Sequence, residues 1–181
     1  ITLLRNERNL LPLLGTRGAR VMSVTFRNRN NILAGRYFDA RLRETYPRLV
    51  QNQVDENTNA EAYQDLIRRA QRSNLVVVSV YSNFAGRVDL PDETVDFVNE
   101  LARRRITHVV ISFGNPYLIA DFPDAQAYVL AWSSAQVSQQ AAAVALFGGI
   151  EINGRSPTGM EPYFTLGDGI QIPKKTNTSG R

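Results

Sequence analysis

Two stretches of the chain are almost continuously apolar and β-branched, and they constrain the fold more than any other feature. Leu75–Tyr81 has the sequence LVVVSVY, and Thr107–Phe113 has the sequence THVVISF. A strand with one solvated face alternates apolar and polar side chains, whereas a strand that is buried on both faces does not. The two runs therefore predict strands inside a parallel sheet that helices cover on both sides.

Three further apolar runs and four helical segments alternate with these strands. Such alternation is typical of an open parallel sheet with helices on both faces. We therefore predict an α/β fold, specifically a three-layer α/β/α sandwich with a mostly parallel sheet of five or six strands. The five predicted strands are Val21–Phe26, Leu49–Val54, Leu75–Tyr81, Thr107–Phe113 and Ala127–Trp132, and the four predicted helices are Ala34–Tyr46, Ala60–Arg72, Asp92–Arg105 and Ser134–Phe147.

Local signals mark where these helices begin and end. Pro47 ends the first helix, because the residue before a proline avoids the helical conformation. Thr58, followed three residues later by Glu61, predicts a capping box at the start of the second helix. Gly148 and Gly149 predict a C-terminal stop for the fourth helix.

The length of 181 residues fits one structural domain. We divide it into an apolar N-terminal arm at residues 1–20, the sandwich at residues 21–173 and a polar, disordered tail at residues 174–181. The chain begins with Ile1 rather than Met, so we expect it to be part of a longer polypeptide from which any targeting segment has been lost.

The composition argues against several kinds of function. The chain has no cysteine, which excludes disulfides, thiolate metal sites and cysteine nucleophiles. No apolar run approaches the roughly 20 residues that a membrane helix needs. The net charge of +4 raises the question of nucleic-acid binding, but the basic residues are interleaved with acids and no binding motif accompanies them. We expect no nucleic-acid partner and no membrane span.

Ligands of open α/β sheets usually bind beyond the carboxyl ends of the strands, so the loops there are the candidate site. Residues Arg27–Asn31 fit an anion site or, as we favour, a solvated loop. The loops Ser82–Pro91 and Gly114–Tyr117 each combine polar groups, glycine and an aromatic residue. They fit contact with a ligand or a neighbouring domain as well as they fit ordinary turn chemistry.

The sequence contains no set of residues that could carry out catalysis alone. His108 is the only histidine and lies at the start of a buried strand, so we interpret it as structural. Ser156 lacks the G-x-S-x-G spacing of a nucleophile elbow. Asp39 and Glu44 are expected on a helix surface, and Asp121 and Asp124 in turns, so no metal cluster or pair of facing carboxylates is predicted.

Four segments, in the correct order, resemble the C-terminal domain of family 3 glycoside hydrolases. They are the N-terminal stretch from Ile1 to Leu13, the strand and loop that end in Asp89-Leu90-Pro91, the run THVVISFGNP at Thr107–Pro116, and Ala127–Gly154, which contains Ala145-Leu146-Phe147-Gly148-Gly149 and is followed by Arg155. After Arg155 the sequence departs from the family pattern, because Ser156-Pro157-Thr158-Gly159 follows where the family usually continues with Leu-Pro-Val.

The resemblance implies that this domain packs on an N-terminal (β/α)8 barrel of the same polypeptide, which carries the nucleophilic Asp. In the β-glucosidase branch of the family, the sandwich supplies the acid/base Glu from the loop after its third strand. The corresponding loop here, Ser82–Leu90, has no Glu, and its one acid, Asp89, matches a structural position. In the β-N-acetylglucosaminidase branch the acid/base is a His–Asp pair on the barrel, so the loop favours that branch.

We therefore expect a non-catalytic domain of a glycosidase that acts on a β-linked N-acetylhexosamine or glucose, without a cofactor or metal, in the periplasm or outside the cell. Ser82, Asn83 and Arg87 are the predicted substrate-facing residues. The alternative is a flavodoxin-like module that binds a small ligand or a carbohydrate and has no hydrolase role. A stand-alone hydrolase is the least favoured hypothesis, because no base–nucleophile pair is visible.

Overall fold

The structure, a computed structural model, describes residues 1–82 and 90–176 and consists of one six-stranded sheet flanked by four α-helices. The strand order is β1-β6-β5-β4-β2-β3, and within the described residues β1 alone runs antiparallel to its neighbour. The strands are β1 (Thr2–Asn6), β2 (Val21–Arg27), β3 (Val50–Val54), β4 (Leu75–Ser82), β5 (His108–Gly114) and β6 (Ala127–Leu130); the helices are α1 (Arg36–Thr45), α2 (Ala60–Ala70), α3 (Asp92–Arg103) and α4 (Gln136–Leu146).

The sheet separates two apolar cores, as expected for a three-layer sandwich. Successive residues of β4 point to opposite faces: Val76 and Val78 join the core under α2 and α3, whereas Val77 joins the core under α1 and α4. All eight residues of β4 are buried, as the continuous apolar run predicts. The predicted α/β/α sandwich with a mostly parallel sheet is confirmed.

The helix ends follow the predicted signals, with one correction. The helix α1 ends at Thr45, before Pro47. The predicted cap at Thr58 is wrong, because Asn59 is the N-cap of α2 and its side chain accepts a hydrogen bond from the Ala62 amide at 2.9 Å. The Thr58 hydroxyl instead accepts a 2.9 Å hydrogen bond from the Asp55 amide. Both residue types are good caps, so the sequence did not distinguish these adjacent positions.

The two ends of the chain close one edge of the sheet. The segment interpreted as an N-terminal arm contains β1, which pairs with β6. Residues after α4 then shelter β1, since the Ile170 amide donates a 2.7 Å hydrogen bond to the Leu3 carbonyl. The tail predicted to be disordered is held at Lys175, whose amide bonds the Gly148 carbonyl at 2.9 Å. Residues 177–181 lie outside the described part of the chain.

Candidate functional site at the carboxyl edge of the sheet

Ser82 and Gly114 lie side by side where β4 and β5 end. Ser82 is buried, and its hydroxyl has no hydrogen-bond partner among the described residues. The other two predicted substrate-facing residues, Asn83 and Arg87, fall within residues 83–89, which the structure does not describe. The structure thus brings Ser82 to the expected edge of the sheet, and its role there remains a prediction.

The turn Gly114–Tyr117 uses most of its polar groups internally. Gly114 has a φ of 123°, which a residue with a side chain rarely adopts. The Asn115 side chain accepts a 3.0 Å hydrogen bond from the Tyr117 amide and so caps the 3-10 turn Pro116–Ala120. The Tyr117 ring is 43% exposed, and its hydroxyl lies 3.1 Å from the Thr158 hydroxyl. Turn chemistry therefore accounts for Gly114 and Asn115, while Tyr117 presents an aromatic surface at this edge.

Trp132 follows β6 at the same edge and was not predicted as a site residue. Its φ is 61°, a left-handed conformation that is unfavourable for a bulky side chain. Its indole N–H donates a 3.0 Å hydrogen bond to the Thr2 hydroxyl, which ties it to β1. Sequence carries no local signal for this conformation, because the contact is made across 130 residues.

The loop after β2 is occupied by its own hydrogen bonds rather than arranged around an anion. The Arg27 guanidinium donates to the Arg29 carbonyl at 2.9 Å and to the Gln53 side chain at 3.3 Å. The Asn30 amide donates to the Asn28 side chain at 3.1 Å. These contacts support the interpretation of Arg27–Asn31 as a solvated loop.

Asp39 corrects a prediction, because it is buried between α1 and the sheet rather than exposed on the helix surface. The Ser23 hydroxyl donates a 2.6 Å hydrogen bond to its carboxylate. Burial raises the pKa of Asp39, while the Ser23 hydrogen bond, the Gln51 side chain and the Arg43 charge oppose that rise. Glu44 is exposed, as predicted.

Gln139 of α4 caps the amino end of α1, a role that the sequence analysis missed. The N-cap position of α1 is Gly35, which has no side chain to accept a hydrogen bond. The Gln139 side-chain oxygen accepts from the Tyr37 and Phe38 amides at 3.2 and 3.3 Å. Its side-chain nitrogen donates to the Leu33 and Ser134 carbonyls at 3.3 and 2.9 Å. One buried glutamine therefore fixes the two helices that begin at the candidate site.

His108 has the structural role that the sequence analysis gave it. It is fully buried, and burial lowers the pKa of its imidazole despite the Ile106 carbonyl and the Glu7 charge. Its Nδ1 lies 2.8 Å from the Ile106 carbonyl oxygen, and its Nε2 accepts from the Gln126 amide at 3.4 Å. Both contacts fit a neutral imidazole with its hydrogen on Nδ1. Both ring nitrogens are thus occupied by backbone groups, which leaves no position for a general base.

Within the described ranges, no three His, Asp or Glu side chains are placed to hold a metal ion. The helices described there are all too short or too polar to span a bilayer.

Comparisons with known proteins agree with this architecture. A sequence model of one family, described as the glycosyl hydrolase family 3 C-terminal domain, matches residues 1–177. No curated protein matches the chain.

Solved structures with the same fold come from much longer polypeptides. A fungal multi-domain GH3 β-N-acetylglucosaminidase is 20% identical, with a TM-score of 0.69 over 81% of this chain and 16% of its own. A GH3 β-N-acetylglucosaminidase from Paenibacillus sp. str. FPU-7 is 19% identical, with a TM-score of 0.61 over 81% of this chain and 28% of its own. The β-glucoside phosphorylase BglX is 17% identical, with a TM-score of 0.57 over 81% of this chain and 27% of its own. The chain therefore spans less than a third of each of these proteins, and the likeness to them establishes the fold.

Proposed function

The chain belongs to the C-terminal domain family of glycosyl hydrolase family 3, and from this premise we propose that it is the non-catalytic sandwich domain of a β-N-acetylhexosaminidase. In this proposal the domain packs on a (β/α)8 barrel of the same polypeptide, and the barrel carries both the nucleophile and the acid/base. A β-glucosidase is the second candidate enzyme, since the family resemblance covers both β-N-acetylhexosaminidases and β-glucosidases.

One observation carries the choice between the two branches. The loop Ser82–Leu90 contains no Glu, and Asp89 is its only acid. A sandwich that supplied a general acid would need a carboxyl group on this loop, within hydrogen-bond reach of the glycosidic oxygen. The one carboxyl group there, that of Asp89, matches a structural position of the family rather than the position of the acid/base Glu. Elsewhere among the described residues, the buried carboxylate of Asp39 is engaged by Ser23 and His108 is engaged by backbone groups. This supports the assignment of both catalytic groups to the barrel.

We place the sugar-facing surface at the carboxyl edge of the sheet, where β4 and β5 end. Ser82, Asn83 and Arg87 are the residues proposed to face the sugar, with Ser82 at the end of β4. Residues in this role position the substrate and take no part in bond breaking. Their removal should therefore raise KM more than it lowers kcat.

The experiment uses the domain in one polypeptide with its barrel, assayed on aryl β-N-acetylglucosaminide and aryl β-glucoside. Asp89→Asn is expected to change kcat less than about twofold, because a general acid or base contributes about 10²- to 10⁴-fold and Asp89 is not one. Asp92→Asn, an exposed acid three residues away in α3, is the matched control.

A loss of kcat by about 10²-fold or more in Asp89→Asn alone would place the acid/base in this domain and contradict the proposal. Arg87→Ala is expected to raise KM with kcat nearly unchanged. If Arg87→Ala instead leaves both constants unchanged and the isolated chain binds mono- or disaccharides, the flavodoxin-like binding module is the better account.

A further inference from the structure

A cleft lies at the amino-terminal edge of the sheet, opposite the candidate sugar-facing edge. It has a volume of about 540 Å³ and includes side chains from the segment after β1, from the end of α3 and from the residues before β5 and β6. Three of its side chains are arginines: Arg8, Arg103 and Arg105. Because β4 and β5 run parallel, this cleft and the candidate sugar-facing edge lie at opposite ends of the same strands.

Arg105 occupies a backbone position that strongly favours glycine. It follows the last turn of α3 with a φ of 56°. The Arg105 amide bonds the Ala102 carbonyl and the Ile106 amide bonds the Leu101 carbonyl, each at 2.9 Å, which is the Schellman pattern. Arginine in this left-handed position is less stable than glycine would be.

The end of α4 provides an internal comparison. There the Gly148 amide bonds the Ala145 carbonyl at 2.9 Å and the Gly149 amide bonds the Val144 carbonyl at 3.0 Å, the same pattern as at α3. The left-handed residue of that turn is Gly148, with a φ of 72°. The same local motif thus holds glycine at one helix and arginine at the helix that borders the cleft.

Arg8, which also lines the cleft, has a left-handed backbone conformation as well. Its φ is 53°, again in the left-handed region. Two of the four non-glycine residues with positive φ in the described chain are therefore arginines that line one cleft. Unfavourable backbone conformations are concentrated at functional sites, where the side chain has a use that offsets the cost.

Both of these guanidinium groups are exposed and unengaged. In the ranges 1–82 and 90–176, neither Arg8 nor Arg105 forms a side-chain hydrogen bond or an ion pair. Arg103 differs, since it pairs with Glu100. The cleft also contains the carboxylates of Glu7 and Asp124, which do not pair with these arginines. Among the described residues, the cleft is therefore lined by two guanidinium groups and two carboxylates that form no side-chain hydrogen bond or ion pair.

From this arrangement we infer that the cleft binds a small hydroxylated oxyanion, such as a sugar phosphate or a sugar acid. The phosphate or carboxylate group lies between Arg8 and Arg105, whose guanidinium groups match oxyanions geometrically. Hydroxyl groups of the ligand donate to Glu7 and Asp124. The site is separate from the proposed sugar-facing edge and does not depend on the proposed function.

Titration calorimetry of the 181-residue chain at constant ionic strength tests this inference. Glucose 6-phosphate and glucuronate are the two probes, and glucose is the neutral control. The decisive variant is Arg105→Gly, which is expected to unfold at a higher temperature than the wild type because the left-handed strain is removed. It is also expected to bind the oxyanion probes about tenfold more weakly or worse, since a charge-assisted hydrogen bond is lost.

Arg8→Gly is expected to weaken the same probes, and Arg17→Gly, which removes an exposed arginine that does not line the cleft, is expected to leave them unchanged. Preference for glucose 6-phosphate or glucuronate identifies the phosphate or the carboxylate as the natural group. The inference is overturned if neither probe binds saturably, if glucose binds as well as they do, or if Arg105→Gly and Arg8→Gly keep wild-type affinity.

Discussion

Replacement of Gln139 is the sharpest test of how the helices at the candidate site are held. Its side chain is 1% exposed and forms four hydrogen bonds, two to amides at the start of α1 and two to carbonyls of neighbouring loops. Gln139→Met keeps the length of the side chain and removes all four. Of the four backbone groups, the Leu33 carbonyl keeps the hydrogen bond that it accepts from the Arg36 amide at 3.3 Å, and the other three lose the partner that Gln139 provides.

The expected effect can be worked out from these contacts. Loss of a capping acceptor costs about 1 kcal/mol. Loss of the two hydrogen bonds that the side-chain nitrogen donates costs about 1 kcal/mol each. Gln139→Met should therefore lower the free energy of unfolding by about 3 kcal/mol, a large part of the 5–15 kcal/mol that is typical of a domain.

Urea unfolding followed by circular dichroism measures this change, provided that the slope of the transition is unaltered. Gln140→Met is the matched control, because it makes the same substitution on the exposed face of the same helix and should change stability by less than about 0.5 kcal/mol. Hydrogen exchange should also quicken at the Tyr37 and Phe38 amides. Equal stability of the two variants would refute the capping role of Gln139.

Two further predictions concern the same region. Asp39→Asn should stabilise the protein at pH 7. Because the pKa of the buried Asp39 carboxyl is raised in the folded state, its contribution to folding stability is complete only below its usual pKa of about 3.9 and is lost as the pH rises through the folded-state pKa. Urea titrations at several pH values should show that the extra stability of Asp39→Asn vanishes in acid, and extra stability that persists there would contradict this reasoning. Gly35→Ala should destabilise the domain by about 1–3 kcal/mol, because Gly35 has a φ of 77° and an added Cβ would lie 2.7 Å from the Thr25 hydroxyl oxygen. Gly18→Ala is the control, since its Cβ would meet nothing within 4 Å, and equal thermal unfolding of the two variants would contradict the strain argument.

Much of the fold could be predicted from the sequence, because the parallel core has a strong pattern. The continuous apolar run in β4 and the amphipathic helices predict the three layers, and the sequence predicts five of the six strands. The missed strand, β1, lies at an edge and gains its partner, β6, more than 120 residues away. Its short apolar stretch has no turn signals to distinguish a strand from an extended arm.

The candidate site was predicted less completely. The sequence analysis predicts Asp39 on the helix surface, although Phe38 and Leu42 on either side of it mark the buried face of α1. The helical spacing of Asp39 relative to these two apolar residues indicates burial, although its residue type does not. The cap from Gln139 and the left-handed backbone of Trp132 depend on distant partners, so no local pattern reports them.

The claim that both catalytic groups lie outside this domain is tested most directly by the chain alone. The purified 181-residue chain, shown to be folded by circular dichroism, is assayed with aryl β-N-acetylglucosaminide and aryl β-glucoside at high protein concentration. We expect no turnover above that of buffer, because the proposed function assigns the nucleophile and the acid/base to the barrel. Turnover that co-elutes with the folded chain through successive purification steps would contradict the account.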